Sequence, residues 1–169
     1  MTLQSFPQAP AALLQNERPQ DGPAAERLID RAFGPGRFTK VSERVREFAL
    51  FAPDYSFCAW EEGRLVGVVR QWRARVGEAP LVFLGPLAVD ADQRLAGLGG
   101  RLVERGCEAA AKAGEAAVLL VGDEAYFSRF GFSAAAAAGI VLPGPVDYRR
   151  VLLRPFRSGA RFEGLLRGL

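Results

Sequence analysis

Three glycines, Gly97, Gly99 and Gly100, stand at the head of a segment with helical character, in the run Arg94-Leu95-Ala96-Gly97-Leu98-Gly99-Gly100. Glycine is about 1 kcal/mol worse than alanine inside a helix, so the placement needs a compensating gain. At a helix N-terminus the first backbone N–H groups have no intrahelical partner and the dipole is positive. Bare backbone there can approach and hold an anion, best of all a phosphate. Arg94, three residues before Gly97, can add a formal charge and a forked donor. The competing reading is that the glycines only let the helix lie close to a sheet. Two familiar phosphate loops fail on local grounds. A Walker loop needs Gly-Lys-Ser/Thr, and here Gly100 is followed by Arg101 and Leu102. A dinucleotide fingerprint needs a strand running directly into Gly97 and a glycine where Leu102 stands.

Histidine is absent from the chain. That excludes Ser-His-Asp and Cys-His nucleophilic sites, HExxH zinc sites and imidazole acid–base chemistry, and no metal is expected. Any catalysis must come from carboxylate, tyrosine, arginine, backbone or water. The net charge is +3. Arg157, Arg161 and Arg167 against Glu163 put +2 of that beyond Phe156, which leaves +1 for the rest. No clustered basic face emerges, so nucleic acid is not the expected partner. No apolar run approaches the ~20 residues that span a bilayer. The N-terminus lacks a basic start before an apolar core, so neither a signal peptide nor a membrane association is expected. Cys58 and Cys107 are too few for a disulfide framework and are expected as buried thiols, which favours a cytoplasmic setting.

The elements that must position these groups follow from periodicity. With 169 residues the chain suits one packed domain. Residues 1–11 read as a flexible lead, 12–156 as a single domain and 157–169 as a C-terminal tail. A first strand is expected over 12–18. A helix follows, with Asp21 as a cap candidate, Pro23 in its first turn and Ala25, Leu28, Ile29 and Ala32 at helical spacing, until Phe33-Gly34-Pro35-Gly36 ends it. Residues 40–48 suit a second helix. Two strands, 55–61 and 64–75, flank a tight turn at Glu62-Gly63. Arg70, Trp72, Arg73 and Arg75 read as charged residues and a packing tryptophan on a solvent-facing strand, or as contacts for an acidic acceptor.

The strand over 80–89 is apolar throughout, and Pro86 should break or bulge its ladder. The glycine-led helix, about 97–113, has Leu98, Leu102, Gly106, Ala109 and Ala113 as its inner stripe. A buried strand over 116–123, a brief helix over 124–132, a loop or strand edge at 134–138 and a last strand over 148–156 complete the order. The class is α/β, with one mixed, mostly antiparallel central sheet and flanking helices.

Arg94-Leu95-Ala96-Gly97-Leu98-Gly99 matches the R/Q-x-x-G-x-G/A signature of the GNAT superfamily of N-acetyltransferases. Residues 84–103 resemble that family's fourth strand, pyrophosphate loop and third helix. Residues 116–132 are similar to its fifth strand and fourth helix, closing on Gly131-Phe132. Arg31-Ala32-Phe33-Gly34-Pro35-Gly36-Arg37 and Leu142-Pro143-Gly144-Pro145-Val146 resemble a bacterial subgroup of single-domain acetyltransferases. The resemblance implies acetyl-coenzyme A as donor and a primary amine, on a small molecule or a peptide, as acceptor, with transfer by direct attack in a ternary complex. It implies that the backbone of Leu87, Ala88 and Val89 pairs with the pantetheine arm like an added strand. The amides of Leu95, Ala96, Gly97, Leu98, Gly99 and Gly100 would hold the pyrophosphate, with Arg94 at its edge. Monomers and homodimers both fit.

The family commonly supplies its general acid as a tyrosine four residues before the glycine of the Gly-Phe pair. Here Phe127 fills that slot and Tyr126 is its neighbour, so Tyr126 is either the acid or a packing aromatic. Among Glu78, Asp90, Asp123 and Glu124, Asp123 stands at the mouth of the buried strand and is the candidate base, with water as the other route for the proton. The alternative function is a module that binds acyl-coenzyme A without catalysing transfer. Phe33, Arg37 and Phe38 fall where the family places acceptor loops.

Overall fold

A computed structural model describes residues 11–169, apart from the side chains of Arg94, Leu95 and Ala96. The strands are β1 (Leu13–Asn16), β2 (Leu50–Phe51), β3 (Phe57–Glu61), β4 (Arg64–Val76), β5 (Ala79–Val89), β6 (Ala117–Val121), β7 (Ile140–Val141), β8 (Val151–Pro155) and β9 (Gly164–Arg167). The helices are α1 (Gly22–Phe33), α2 (Val41–Phe48), α3 (Leu98–Lys112) and α4 (Glu124–Phe127). The expected lead, residues 1–11, lies almost wholly outside the described residues.

The sheet runs β1-β3-β4-β5-β6-β8, with β2 and β9 both joined to β4. Every neighbour on that path is antiparallel except β5 with β6, so the sheet is mixed and mostly antiparallel. The β3–β4 hairpin turns at Glu62 and Gly63, both with positive φ (48° and 75°), as a two-residue turn between twisted strands requires. β4 is buried continuously from Leu65 to Arg70 and on through Gln71. Such a run needs cover on both faces. Cys58, Leu65 and Val68 pack under Ala25, Leu28 and Ile29 of α1. Phe57, Ala59 and Val69 pack under Leu98, Leu102 and Val103 of α3.

Several local expectations change. Asp21 does not cap α1; its carboxylate accepts from the Arg18 amide (2.9 Å) and guanidinium, closing the turn before the helix. The inner face of α3 includes Val103, Cys107 and Ala110, while Ala109 is half-buried and Ala113 exposed. The helix stops at Lys112, so Ala113 is its C-cap and is not part of the inner stripe. Residues 148–150 form a 3-10 turn because Asp147 accepts from the Arg149 amide, and the last central strand begins only at Val151. Within the stretch set apart as a tail, β9 pairs with the end of β4 at Arg75↔Arg167 and Val76↔Leu166, and Leu166 is buried. Both cysteines are free and buried; burial pushes the Cys58 thiol up to about 12 and the Cys107 thiol up to about 11.

β4 is not a solvent-facing strand. Arg70 is buried and pairs with buried Glu17 (2.8 Å) and with Glu26 of α1. Arg73 reaches Glu115 (3.3 Å) and the Tyr55 hydroxyl (3.0 Å), and Arg75 reaches Glu78 and the Gly168 carbonyl. Trp72 donates to the Gly85 carbonyl. The charge cluster extends from Glu26 to Arg37, which also pairs with Asp30 and Glu43, and to Arg46, which bridges Glu26 and Glu43. These contacts tie α1, the turn after it and α2 to the sheet.

Burial alone would raise the Glu26 carboxyl, but the Arg70 guanidinium, with Arg37 and Arg46, outweighs it and holds the group at about 2 against an ordinary 4.5. A depressed folded-state value contributes stability above 4.5 that is lost as pH falls toward about 2. Glu26→Gln should therefore be less stable than the parent at neutral pH, and the gap should close across that window. Denaturant unfolding of both proteins through the window checks this; a gap that stays constant with pH would remove Glu26 from the linkage.

Candidate functional site

The site originates in a ladder that stops early. β5 pairs with β6 only at Val82↔Val118 and Phe83↔Leu119. On its other side β5 stays paired with β4 as far as Gly67↔Val89. Between Leu84 and Leu87 the register shifts by one residue, at Gly85-Pro86, as expected for a proline that has no N–H to give. Residues 84–89 thus run with β4 along one edge and no strand along the other. Two clefts open beside that free edge, of about 540 Å³ and 310 Å³. Phe33, Leu87 and Tyr126 line both.

The first turn of α3 borders the smaller cleft. Gly97 is its N-cap, left-handed at φ 74°, and no side chain caps the turn. The amides of Leu98, Gly99 and Gly100 have no helical acceptor by the geometry of a first turn. A Cβ on Gly99 would sit 3.2 Å from the Tyr126 hydroxyl, and one on Gly100 would sit 2.8 Å from Phe130. Close approach of α3 to the sheet is served elsewhere: a Cβ on Gly106 would lie 2.6 Å from the Gln71 amide, and one on Gly67 would lie 2.9 Å from Leu102. Gly99 and Gly100 serve close approach as well, since a Cβ on Gly99 would also lie 3.7 Å from Val89 of β5, whereas a Cβ on Gly97 would meet nothing within 4 Å. The backbone of Arg94, Leu95 and Ala96 forms part of the 3-10 turn Ala91–Ala96 before them, while their side chains lie outside what the structure describes. Leu87, Ala88 and Val89 line the smaller cleft together with Gly99.

α4 divides its aromatics. Phe127 packs against the core, where a Cβ at Gly122 would collide with its ring and where it meets Phe132 edge to face at 6.0 Å. It stays half-buried and also lines the larger cleft. Tyr126 turns to the clefts, its ring held by Phe127 (4.9 Å), Phe130 (5.5 Å) and the Arg129 guanidinium (4.9 Å). Asp123 lines the larger cleft and caps α4 by accepting from the Ala125 amide (3.1 Å). The other carboxylates near in sequence are engaged: Glu78 with Arg75, Asp90 with Arg64 and Glu124 with the Ala134 amide. Of the acceptor-loop residues, Phe33 and Arg37 line the larger cleft, while Phe38 is exposed beneath the Arg37 guanidinium. Sequence reading missed Lys40, Glu43, Asp147 and Arg150 in this wall. They come from two segments, 40–43 and 147–150, far apart in the chain, and no local spacing joins the two.

A sheet that splits beside a glycine-led helix, with a tyrosine where the two clefts meet, defines an acyltransferase architecture. Residues 23–132 match the model of the Acetyltransferase (GNAT) family, and the chain belongs to that family. It is 35% identical over 131 residues to the uncharacterized N-acetyltransferase YhbS of Escherichia coli K12, covering 73% of this chain and 75% of that protein. The crystal structure of Escherichia coli YhbS in complex with CoA is similar at a TM-score of 0.78 and 29% identity, over 96% of this chain and 92% of that one. A GNAT acetyltransferase from Brucella melitensis in complex with acetyl-CoA shares the fold at a TM-score of 0.70 and 23% identity, over 92% and 94% of the two chains. No helix among the described residues is long and apolar enough to cross a membrane.

The unequal packing of the two aromatics should show in stability. Phe127→Ala is expected to cost about 2 kcal/mol by removing its contacts with Phe132 and the core, whereas Tyr126→Phe should stay within about 0.5 kcal/mol of the parent. Urea unfolding measures both, and equal losses would show that the Tyr126 hydroxyl serves the fold.

Proposed function

We propose that this acetyltransferase moves an acetyl group from acetyl-coenzyme A to a primary amine, by direct attack in a ternary complex. The observation that carries the reading is the free edge of β5 from Leu84 to Val89, flanked by the uncapped first turn of α3. The resident groups fit the donor on both counts. An extended pantetheine arm is a β-strand mimic, and Leu87, Ala88 and Val89 offer it an unpaired edge. The pyrophosphate suits the bare amides of Leu98, Gly99 and Gly100 at the positive end of the α3 dipole, and the turn through Arg94, Leu95, Ala96 and Gly97 leads directly into them. The complexes of YhbS with CoA and of the Brucella protein with acetyl-CoA support the same donor.

Acetyl-coenzyme A is a substrate here, consumed once per turnover. The neutral amine attacks the thioester carbonyl, a C–N bond forms and the C–S bond breaks. The amine's proton leaves to Asp123, directly or through water, and the departing sulfur takes a proton from Tyr126. Asp123 suits this role because its protein partner is one backbone amide and no cation. Tyr126 suits its role because its hydroxyl lies against Gly99 and its side chain lines both clefts. The displacement of the tyrosine by one residue is accommodated because Phe127 takes the inward position. A binding module without turnover would not need a hydroxyl at this junction.

Tyr126→Phe should lower kcat at saturating donor by about 10²-fold or more, the range of a positioned proton donor, while coenzyme A affinity changes little. An unchanged kcat places the acid elsewhere. Gly99→Val brings a branched side chain to within van der Waals reach of the Tyr126 hydroxyl and Val89, so calorimetry should find coenzyme A binding lost in a folded protein. Undiminished binding would reject the pyrophosphate assignment.

A further inference from the structure

The walls of the larger cleft are unequally satisfied. Its acidic residues each have a partner within the protein. Glu43 is held by Arg37 (3.1 Å) and Arg46 (3.1 Å), Asp147 by Arg149 (2.8 Å), and Asp123 by the Ala125 amide (3.1 Å). The Arg149 guanidinium and amide, with a smaller contribution from the nearby Arg150 charge, hold the Asp147 carboxyl below its usual range, so it stays ionised. Two of the cations that line the same space, Lys40 and Arg150, make no ion pair among the described residues. The Lys40 ammonium stands 5.0 Å over the ring of Phe33, which lines both clefts. The backbone of Arg150 is anchored beside Asp123, its carbonyl accepting from the Gly122 amide (2.8 Å), and its side chain lines the same cleft as Lys40. A third donor is unspent: Arg37 is buried and lines the cleft, and its Nε has no partner although its other nitrogens serve Glu26, Asp30 and Glu43.

From this imbalance we infer that the acceptor is an amine that also carries an acid group, a carboxylate or a phosphate, which Lys40 and Arg150 receive while the amine faces Asp123. Cations without partners in a partly enclosed cleft favour an anion, and a guanidinium suits either oxyacid. A neutral amine would leave both cations and the Arg37 Nε as they are, and would gain nothing from them. The inference rests on the acetyl-transfer reading for which part of the ligand is the amine, so its test separates binding from turnover.

Protein saturated with coenzyme A is titrated calorimetrically with matched pairs: α- and ω-amino carboxylates against their carboxamides, and O-phosphoethanolamine against ethanolamine. The acid member of at least one pair should bind about tenfold more tightly, the size expected of two partly exposed charge contacts. The carboxylate and phosphate arms identify which acid is preferred. In the double variant Lys40→Ala/Arg150→Ala the acid-to-neutral ratio should fall to about one, and raising salt should erode the parent's preference. Equal binding of every pair, no binding of any, or a preference that survives the double variant overturns the inference. Preferential binding of an acid without thiol release from acetyl-coenzyme A would instead overturn the acetyl-transfer reading and leave this one standing.

Discussion

Everything functional in this molecule depends on a parallel pairing that ends after two residue pairs. β5 and β6 meet at Val82 and Phe83 and then part, because Gly85-Pro86 shifts the register of β5 on β4 and the strand bends away. A sheet that remained closed would bury the backbone of Leu87 to Val89 between two ladders and leave no room for either cleft. The split costs the β5 edge its inter-strand hydrogen bonds over residues 84–89, a loss that a pantetheine arm is suited to restore. The same gap brings two otherwise distant starts together, the first turn of α3 from one flank and α4 from the other. Tyr126 and Gly99 touch because both elements border the opening.

An open sheet needs something to keep its walls in place, and on the α1 side that role falls to charge. Arg70 stands opposite the bulge and is buried, yet it reaches Glu17 beyond β1 and Glu26 on α1. Glu26 then connects to Arg37 and Arg46, and through them to Glu43 on α2. Isolated buried ion pairs often fail to offset their desolvation. A chain of shared partners differs, because each ion's lone pairs or protons are used more than once. Its structural effect is directional: it sets the turn after α1, and hence Phe33, Arg37 and Lys40, at a defined place relative to β5.

Much of the fold was legible in the sequence because its signals are local. Glu62-Gly63 between β-rich runs specifies a hairpin, Pro86 announces a disturbed ladder, and Gly34 stops its helix where expected. What escaped is non-local. β7 and β9 are too short to show a period, and each gains its stability from a partner strand across the fold. Arg70 reads as a surface residue until Glu17 and Glu26 are folded against it. The direction of Tyr126 was equally invisible, since it is decided by the lack of a side chain at Gly122, which gives Phe127 its inward berth. The glycine run itself was readable as an anion site or as a packing device. In the fold both fit Gly99 and Gly100, and Gly97, left-handed with open space where a Cβ would stand, is the one that packing leaves unexplained.

The two cysteines have a use that their chemistry does not suggest. Both thiols are buried, and burial pushes them to about 12 and about 11, so almost no thiolate exists near neutrality. They are therefore silent toward mild alkylating dyes while the protein stays folded. Ser42 lines the larger cleft, and serine to cysteine exchanges one atom. A fluorophore attached there would be the molecule's single label, placed at the wall of the larger cleft. The fold thus comes equipped for watching ligand entry optically, without first removing any native residue.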